Sequence, residues 1–252
     1  MLLKGAGLFL IVAATAAAQS VPSMARGDSM YFAGQPAPAL AMYDSLLARD
    51  STGFDLLWHA SRAALAVGIL SLHEKADNPT LFHAESLARA ATLLHPERVE
   101  GHYWLAAALG RRALHADLRT TIRLANAVFE AATNALAIDS MHAGANDVLG
   151  KLNSEIWAQP AYRRFFASHL LGLSVAKQTS WALAEHYLRR AVERDSTMIL
   201  YRLDLGQMYV RTGRMAEARA VLGDVANMKA IHPPDELFRQ QAIALLGRAS
   251  SR

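Results

Sequence analysis

The sequence predicts an all-α protein in which antiparallel helix pairs stack into a solenoid. Ala and Leu, both strong helix formers, dominate the 252 residues, whereas the β-branched residues that favour strands rarely cluster. Small residues recur at helical spacing, as in Ala184, Ala191 and Ala218, where they would let two helices pack closely. Leu149-Gly150 and Leu205-Gly206 occupy the same position in two such helices, and a glycine there would admit a partner helix.

The first 18 residues predict a secretory signal peptide rather than a part of the fold. Lys4 provides the positive start, residues 8–14 are apolar, and residues 16–18 form a small-residue cleavage site before Gln19. The apolar stretch is shorter than the roughly 20 residues that a membrane span needs. We therefore expect signal cleavage and export to a bacterial periplasm or beyond, with an uncleaved membrane anchor as the alternative.

Residues 19–38 are expected to form a flexible leader, and residues 39–247 the helical repeat domain. The leader contains several helix breakers: Pro22, Gly27, Gly34, Pro36 and Pro38. We expect at most a short helix in it, over residues 28–32.

Within the domain, a series of segments carries the small-residue spacing of the second helix of a pair. They cover residues 39–51, 84–96, 128–140, 184–196 and 218–222. First-helix patterns lie between them, over residues 54–69, 99–114, 143–157 and 199–212. Inserts separate the two helices of several pairs, and the longest of them, residues 159–179, has room for a further helix at 161–175. A closing helix is expected from Pro234 to Leu246.

These signatures are similar to tetratricopeptide repeats, in which two antiparallel helices form a unit of about 34 residues. The stretch from residue 55 to residue 246 also resembles bacterial relatives of the regulator-of-microtubule-dynamics family, through residues 135–151, 180–195 and 235–245. The resemblance implies an α-helical adaptor that binds protein or peptide partners. Its microtubule role is not carried over, because an exported protein would not meet microtubules.

No motif in the sequence indicates catalysis, a cofactor or a metal. The 10 His residues include no pair at i, i+3 or i, i+4, and glycine-rich phosphate loops and a nucleophile elbow are absent. The chain has no Cys, which excludes disulfides and thiol chemistry. The net charge of +4 is spread along the chain without a basic run, which does not favour nucleic acid as a partner. We therefore expect a protein that is not an enzyme.

The repeat phase also predicts a partner-binding groove on the concave surface, which the first helix of each pair mainly forms. Counting from the Leu-Gly pairs selects Trp58, Arg62, Tyr103, Asp147, Lys151 and Gln207, with Asp55, Ser154 and Leu203 beside them. Such a mixed aromatic, amide and charged lining suits an extended peptide. We expect an exported scaffold that binds a protein or peptide. The alternatives are a structural subunit of an envelope complex and, less favoured, an enzyme or small-ligand receptor built in the groove. The partner and the oligomeric state are not specified by the sequence.

Overall fold

The computed structural model describes residues 23–71 and 77–250, which contain twelve α-helices and no strand. The predicted signal segment, residues 1–18, lies outside the described residues. The helices are α1 (Met24–Phe32), α2 (Pro36–Leu47), α3 (Phe54–Leu70), α4 (Pro79–Leu94), α5 (Val99–Ala113), α6 (Leu118–Ile138), α7 (Ala143–Ala158), α8 (Ala161–Leu170), α9 (Trp181–Arg194), α10 (Ile199–Arg211), α11 (Met215–Leu222) and α12 (Asp235–Ser250).

The helices pack as sequential antiparallel pairs, which confirms the predicted all-α repeat fold. The pairs are α1 with α2, α3 with α4, α5 with α6, α7 with α9, and α10 with α11, and α12 packs on α10 and α11. The first helices of neighbouring pairs contact one another, so that α3, α5, α7 and α10 form one row. In helical solenoids the row of first helices lines the concave surface, so we call this row the concave face.

The insert between α7 and α9 holds the predicted extra helix in a shorter form. α8 ends at residue 170, and a 3-10 turn covers Ser174–Gln178. The insert is tied to the stack by Asn126 of α6, whose side chain donates to the carbonyl of Gly172 at 2.8 Å and accepts from the Val175 amide at 3.3 Å. Val175 is fully buried against α6.

The expected flexible leader differs from the structure, because most of residues 23–38 are helical and packed. Ser23 caps α1 by accepting from the Arg26 amide, and α2 begins at Pro36, where the fixed φ of proline suits a first helical turn. Gly27 lies against the ring of Tyr43, so that α1 packs closely on α2. The helical domain therefore begins at residue 24, because these apparent helix breakers serve as helix starts and packing contacts.

The two ends of the stack meet. The hydroxyl of Tyr31 in α1 lies 3.5 Å from Nδ1 of His232, in the loop before α12. Ile69 of α3 packs against the C-terminal core cluster that contains Ile199 and Phe238. Asp235 holds the loop in place by accepting from the backbone amides of residues 231 and 232. The helix stack thus closes over part of its own concave face.

Candidate functional site on the concave face

At the N-terminal end of the concave face, the predicted groove residues contact the chain itself. Arg62 is 7% exposed, donates to Asp28 at 2.7 Å and stacks on the Tyr31 ring at 4.2 Å. Trp58 lies beside it, and its Nε1 donates to Asp55 at 3.1 Å. The guanidinium of Arg62 is therefore enclosed by α1, and this end of the face offers a partner little more than the edge of Trp58.

In the middle of the face, the buried Tyr201 and Asp147 and the half-buried Tyr103 form a polar group. The two tyrosine hydroxyls are hydrogen-bonded to each other. Asp147 is 4% exposed, and its Oδ1 has no hydrogen-bond partner among the described residues. Burial raises the pKa of Asp147 well above its usual range, and the nearby carboxylate of Asp204 adds to this effect. The carboxyl of Asp147 is thus held toward its neutral form.

Toward the C-terminal end, Lys151 of α7 binds α10. Its Nζ donates to Oδ1 of Asp204 at 2.7 Å and to Oε1 of Gln207 at 2.5 Å. Burial alone would lower the pKa of Lys151, but the carboxylates of Asp204 and Glu155 outweigh burial, so the pKa is raised. Lys151 therefore stays charged and fixes the orientation of Gln207.

Arg211 extends this network to the rim of the face. Its guanidinium donates to Ser154 Oγ at 3.3 Å and to Glu155 Oε1 at 3.1 Å, and the Arg211 side chain is about one-third exposed. These contacts hold Arg211 over the end of α10, where solvent reaches it.

A cavity of about 480 Å³ opens next to this network, between α10 and α12. It is lined by Gln207, Val210, Arg211, Gln241, Ala244, Leu245 and Arg248. The lining combines two amides and two guanidinium groups with three apolar side chains. Amides can hydrogen-bond a peptide backbone, guanidinium groups can bind carboxylates, and the apolar patch can accept a side chain.

The structure places the six predicted groove residues in two groups along the row of first helices and leaves them unequally accessible. Lys151 and Gln207 are in contact, Asp147 and Tyr103 lie next to them, and Trp58 and Arg62 form a separate group. Arg62 and Asp147 are buried. The cavity residues of α12 were missed, because the Leu-Gly phase extends along first helices and does not fix the rotation of a closing helix.

Within the ranges that the structure describes, no cluster of three or more His, Asp or Glu side chains is arranged to hold a metal ion. None of the described helices combines the length and the apolar character needed to cross a membrane.

Comparison with solved structures shows the tetratricopeptide fold. A thermophilic TPR protein of Thermus thermophilus, TTC0263, superposes with a TM-score of 0.63 at 18% identity, covering 88% of this chain and 96% of that protein. Two weaker likenesses are MamA, with a TM-score of 0.45 at 14% identity over 90% of this chain and 97% of its own, and the human IFIT1 dimer, with 0.44 at 14% over 86% and 55%. Comparison with curated proteins gives no significant match.

The sequence profile of one family covers almost the whole described chain. It is the profile of Regulator of microtubule dynamics protein 1-3, and it matches residues 24–250. This range begins at α1, in agreement with the packed first helix. Proteins of this fold and family are generally non-catalytic. The chain belongs to the regulator of microtubule dynamics protein 1-3 family and has its TPR-like helical repeat fold.

Proposed function

We propose that this protein is a non-catalytic scaffold that binds an extended protein segment at the C-terminal half of its concave face. The binding site is the cavity between α10 and α12, together with the network of Lys151 and Arg211 beside it. The ligand chemistry that suits this lining is a peptide with an acidic side chain or a terminal carboxylate.

The cavity lining is the observation that carries this proposal. Gln207 and Gln241 line the cavity from two helices, and Arg211 and Arg248 bring positive charge to the same space. Lys151 and Ser154 position Gln207 and Arg211 before any ligand arrives. A site ordered in advance loses less conformational entropy on binding, which favours affinity.

The proposal is tested with a random peptide library displayed on phage and panned against the purified protein. The selected peptide is then synthesised, and its affinity is measured by fluorescence anisotropy. We expect an acidic consensus. Gln241→Ala and Arg211→Gln should each weaken binding by at least about tenfold, which corresponds to about 1.4 kcal/mol.

The chain offers a matched control for each variant. Gln240 is next to Gln241 on α12 but does not line the cavity, and Arg189 of α9 is an exposed arginine away from it. Gln240→Ala and Arg189→Gln should leave the affinity unchanged. Equal losses in the cavity and control variants, or a library that yields no peptide sensitive to Gln241, would refute the binding site.

We also propose that the protein acts after export, outside the cytoplasm. The support is the pattern of residues 1–18, which is that of a bacterial signal peptide. Purification of the protein from its own cells and sequencing of its N-terminus tests this. A chain that starts at Gln19 in the exported fraction is expected, and a chain that starts at Met1 in the cytoplasmic fraction would contradict the proposal.

A further inference from the structure

α8 carries a stripe of exposed aromatic side chains on one face. Tyr162 is 69% exposed, Phe165 is 63% exposed and Phe166 is 47% exposed. His169 stacks on Phe165 with ring centroids 4.2 Å apart and continues the same face one turn later. Positions i, i+3, i+4 and i+7 form a single apolar stripe on an α-helix. Here that stripe points into solvent rather than toward the helix stack.

The opposite face of α8 is anchored, so the direction of the stripe is fixed. Ala167 is buried against α6 and α7. Arg164 donates to the carbonyls of residues 157 and 159 and stacks on the Trp157 ring at 4.2 Å. These contacts hold the helix by one side and leave Tyr162, Phe165 and Phe166 outward.

The fold does not need this helix to join α7 to α9. Those two helices pack directly on each other, with Gly150 against Leu188. The insert therefore presents three large aromatic side chains to water without completing a helix pair. An exposed apolar group of this kind indicates an interaction surface.

The charged side chains of the insert are of one sign. No Asp or Glu occurs between Glu155 and Glu185, whereas Arg163 flanks the stripe and Lys177 follows in the 3-10 turn. Both cationic side chains belong to exposed residues. The surface that receives α8 must therefore accept aromatic rings and positive charge together.

The exposed area of the stripe favours a membrane surface over a protein as its binding partner. Three aromatic side chains at these exposures offer on the order of 350 Å². A stable protein interface buries about 800 Å² on each partner and has matched polar groups at its rim. A bilayer interface needs neither of these, since aromatic rings partition at the headgroup level while cations pair with anionic lipids.

We propose that α8 docks this protein onto the surface of an anionic phospholipid bilayer. Tyr162, Phe165 and Phe166 enter the headgroup region, and Arg163 and Lys177 pair with lipid phosphates. The concave face and its cavity lie on other helices, so docking and peptide binding do not compete for the same residues.

The test uses the full chain, which has no natural Cys and so accepts a single label. An environment-sensitive dye is attached at Ala161→Cys on α8 or, as a control, at Ala220→Cys on α11; both positions are exposed. Vesicles of equal parts phosphatidylglycerol and phosphatidylcholine are then added. We expect a blue shift of the dye at position 161 and none at position 220. A local dye separates docking by α8 from any effect of the N-terminal apolar segment.

Two sets of substitutions assign the contacts. Tyr162→Ser, Phe165→Ser and Phe166→Ser together should weaken the vesicle affinity at least tenfold, with the circular dichroism spectrum unchanged. Arg163→Gln with Lys177→Gln should weaken it several-fold and reduce its salt dependence, because these charges pair with headgroups. Pure phosphatidylcholine vesicles should bind less tightly than the mixed vesicles.

Three results would overturn the proposal. They are the absence of a dye shift at position 161, a shift that persists in the triple serine variant, and an equal shift at position 220. A concentration-dependent dimer that the serine variant abolishes, without any vesicle binding, would instead assign the stripe to self-association.

Discussion

The close approach of α7 and α9 can be tested by adding one methyl group at Gly150. A Cβ atom at this position would lie 2.5 Å from Cγ of Leu188 and 2.9 Å from its backbone nitrogen. Non-bonded carbon atoms approach favourably to about 3.5 Å, so the Gly150→Ala variant must separate the helices by roughly 1 Å. Because a backbone atom is among the contacts, a side-chain rotation of Leu188 cannot relieve the overlap.

The magnitude follows from two opposed effects. Alanine is a better helix former than glycine by about 1 kcal/mol, whereas overpacking the helix contact costs about 1–3 kcal/mol. The contact with a backbone atom places the overpacking cost at Gly150 near the upper end of that range. The Gly150→Ala variant should therefore lose about 1–2 kcal/mol of unfolding free energy. Gly110 in α5 is the matched control, because the new methyl group there would lie 3.9 Å from its nearest neighbour, Cγ2 of Val128. Gly110→Ala should gain up to about 1 kcal/mol.

Urea unfolding followed by far-ultraviolet circular dichroism measures the difference, provided that the variants share one m value. Gly150→Ala and Gly110→Ala should differ by about 1–3 kcal/mol. Gly206→Ala should fall between them, because the three atoms nearest to its new methyl group, at 2.7–2.9 Å, all belong to the flexible side chain of Leu222. If Gly150→Ala proves as stable as Gly110→Ala, close helix packing is not the reason for glycine in the Leu-Gly pairs.

Two further predictions concern the buried charges of the concave face. Folding raises the pKa of Asp147, so the stability that this carboxyl contributes is full below its unfolded pKa of about 3.9 and is lost as pH rises through the folded pKa. Asp147→Asn should therefore raise the urea midpoint at pH 8 and lose that advantage near pH 4. An advantage that does not depend on pH would contradict this reasoning. Arg62→Ala should cost about 2–3 kcal/mol, because it leaves Asp28 without its cation and removes the stacking on Tyr31. Arg98→Ala, which removes a more exposed ion-paired arginine, should cost less than about 1 kcal/mol. Both variants are measured by urea unfolding, and equal losses would refute the role of burial.

Helix positions were largely predictable from the sequence because each depends on local chemistry. The first helices α3, α5, α7 and α10 begin at the predicted residues and end within one residue of the predicted ends. Small residues recur at helical spacing within the pairs, and α7 and α10 carry Leu149-Gly150 and Leu205-Gly206 at the same helix position, so the pattern reports helix contact. The segment before residue 39 was predicted wrongly, because a glycine or proline there was interpreted as a breaker without knowledge of what packs on it.

The accessibility of the concave face was not predictable in the same way. The repeat phase selects residues for one face of the stack, and two of those residues, Lys151 and Gln207, are in contact. It contains no information on whether a distant segment covers them. Asp28 and Arg62 pair across 34 positions of sequence, and the Tyr31 contact with His232 spans 201. Such contacts depend on how the curvature of the whole stack brings its ends together.

This meeting of the ends explains why the concave face has two unequal halves. Tyr31 stacks on Arg62 and reaches His232, so one residue of α1 fills space that a ligand would otherwise use. A partner that bound the N-terminal half would have to displace α1 and separate Arg62 from Asp28. At the other end, small Ala244 lines the space between α10 and α12 that a larger side chain would fill. A partner can therefore bind beside Gln207 without displacing α1.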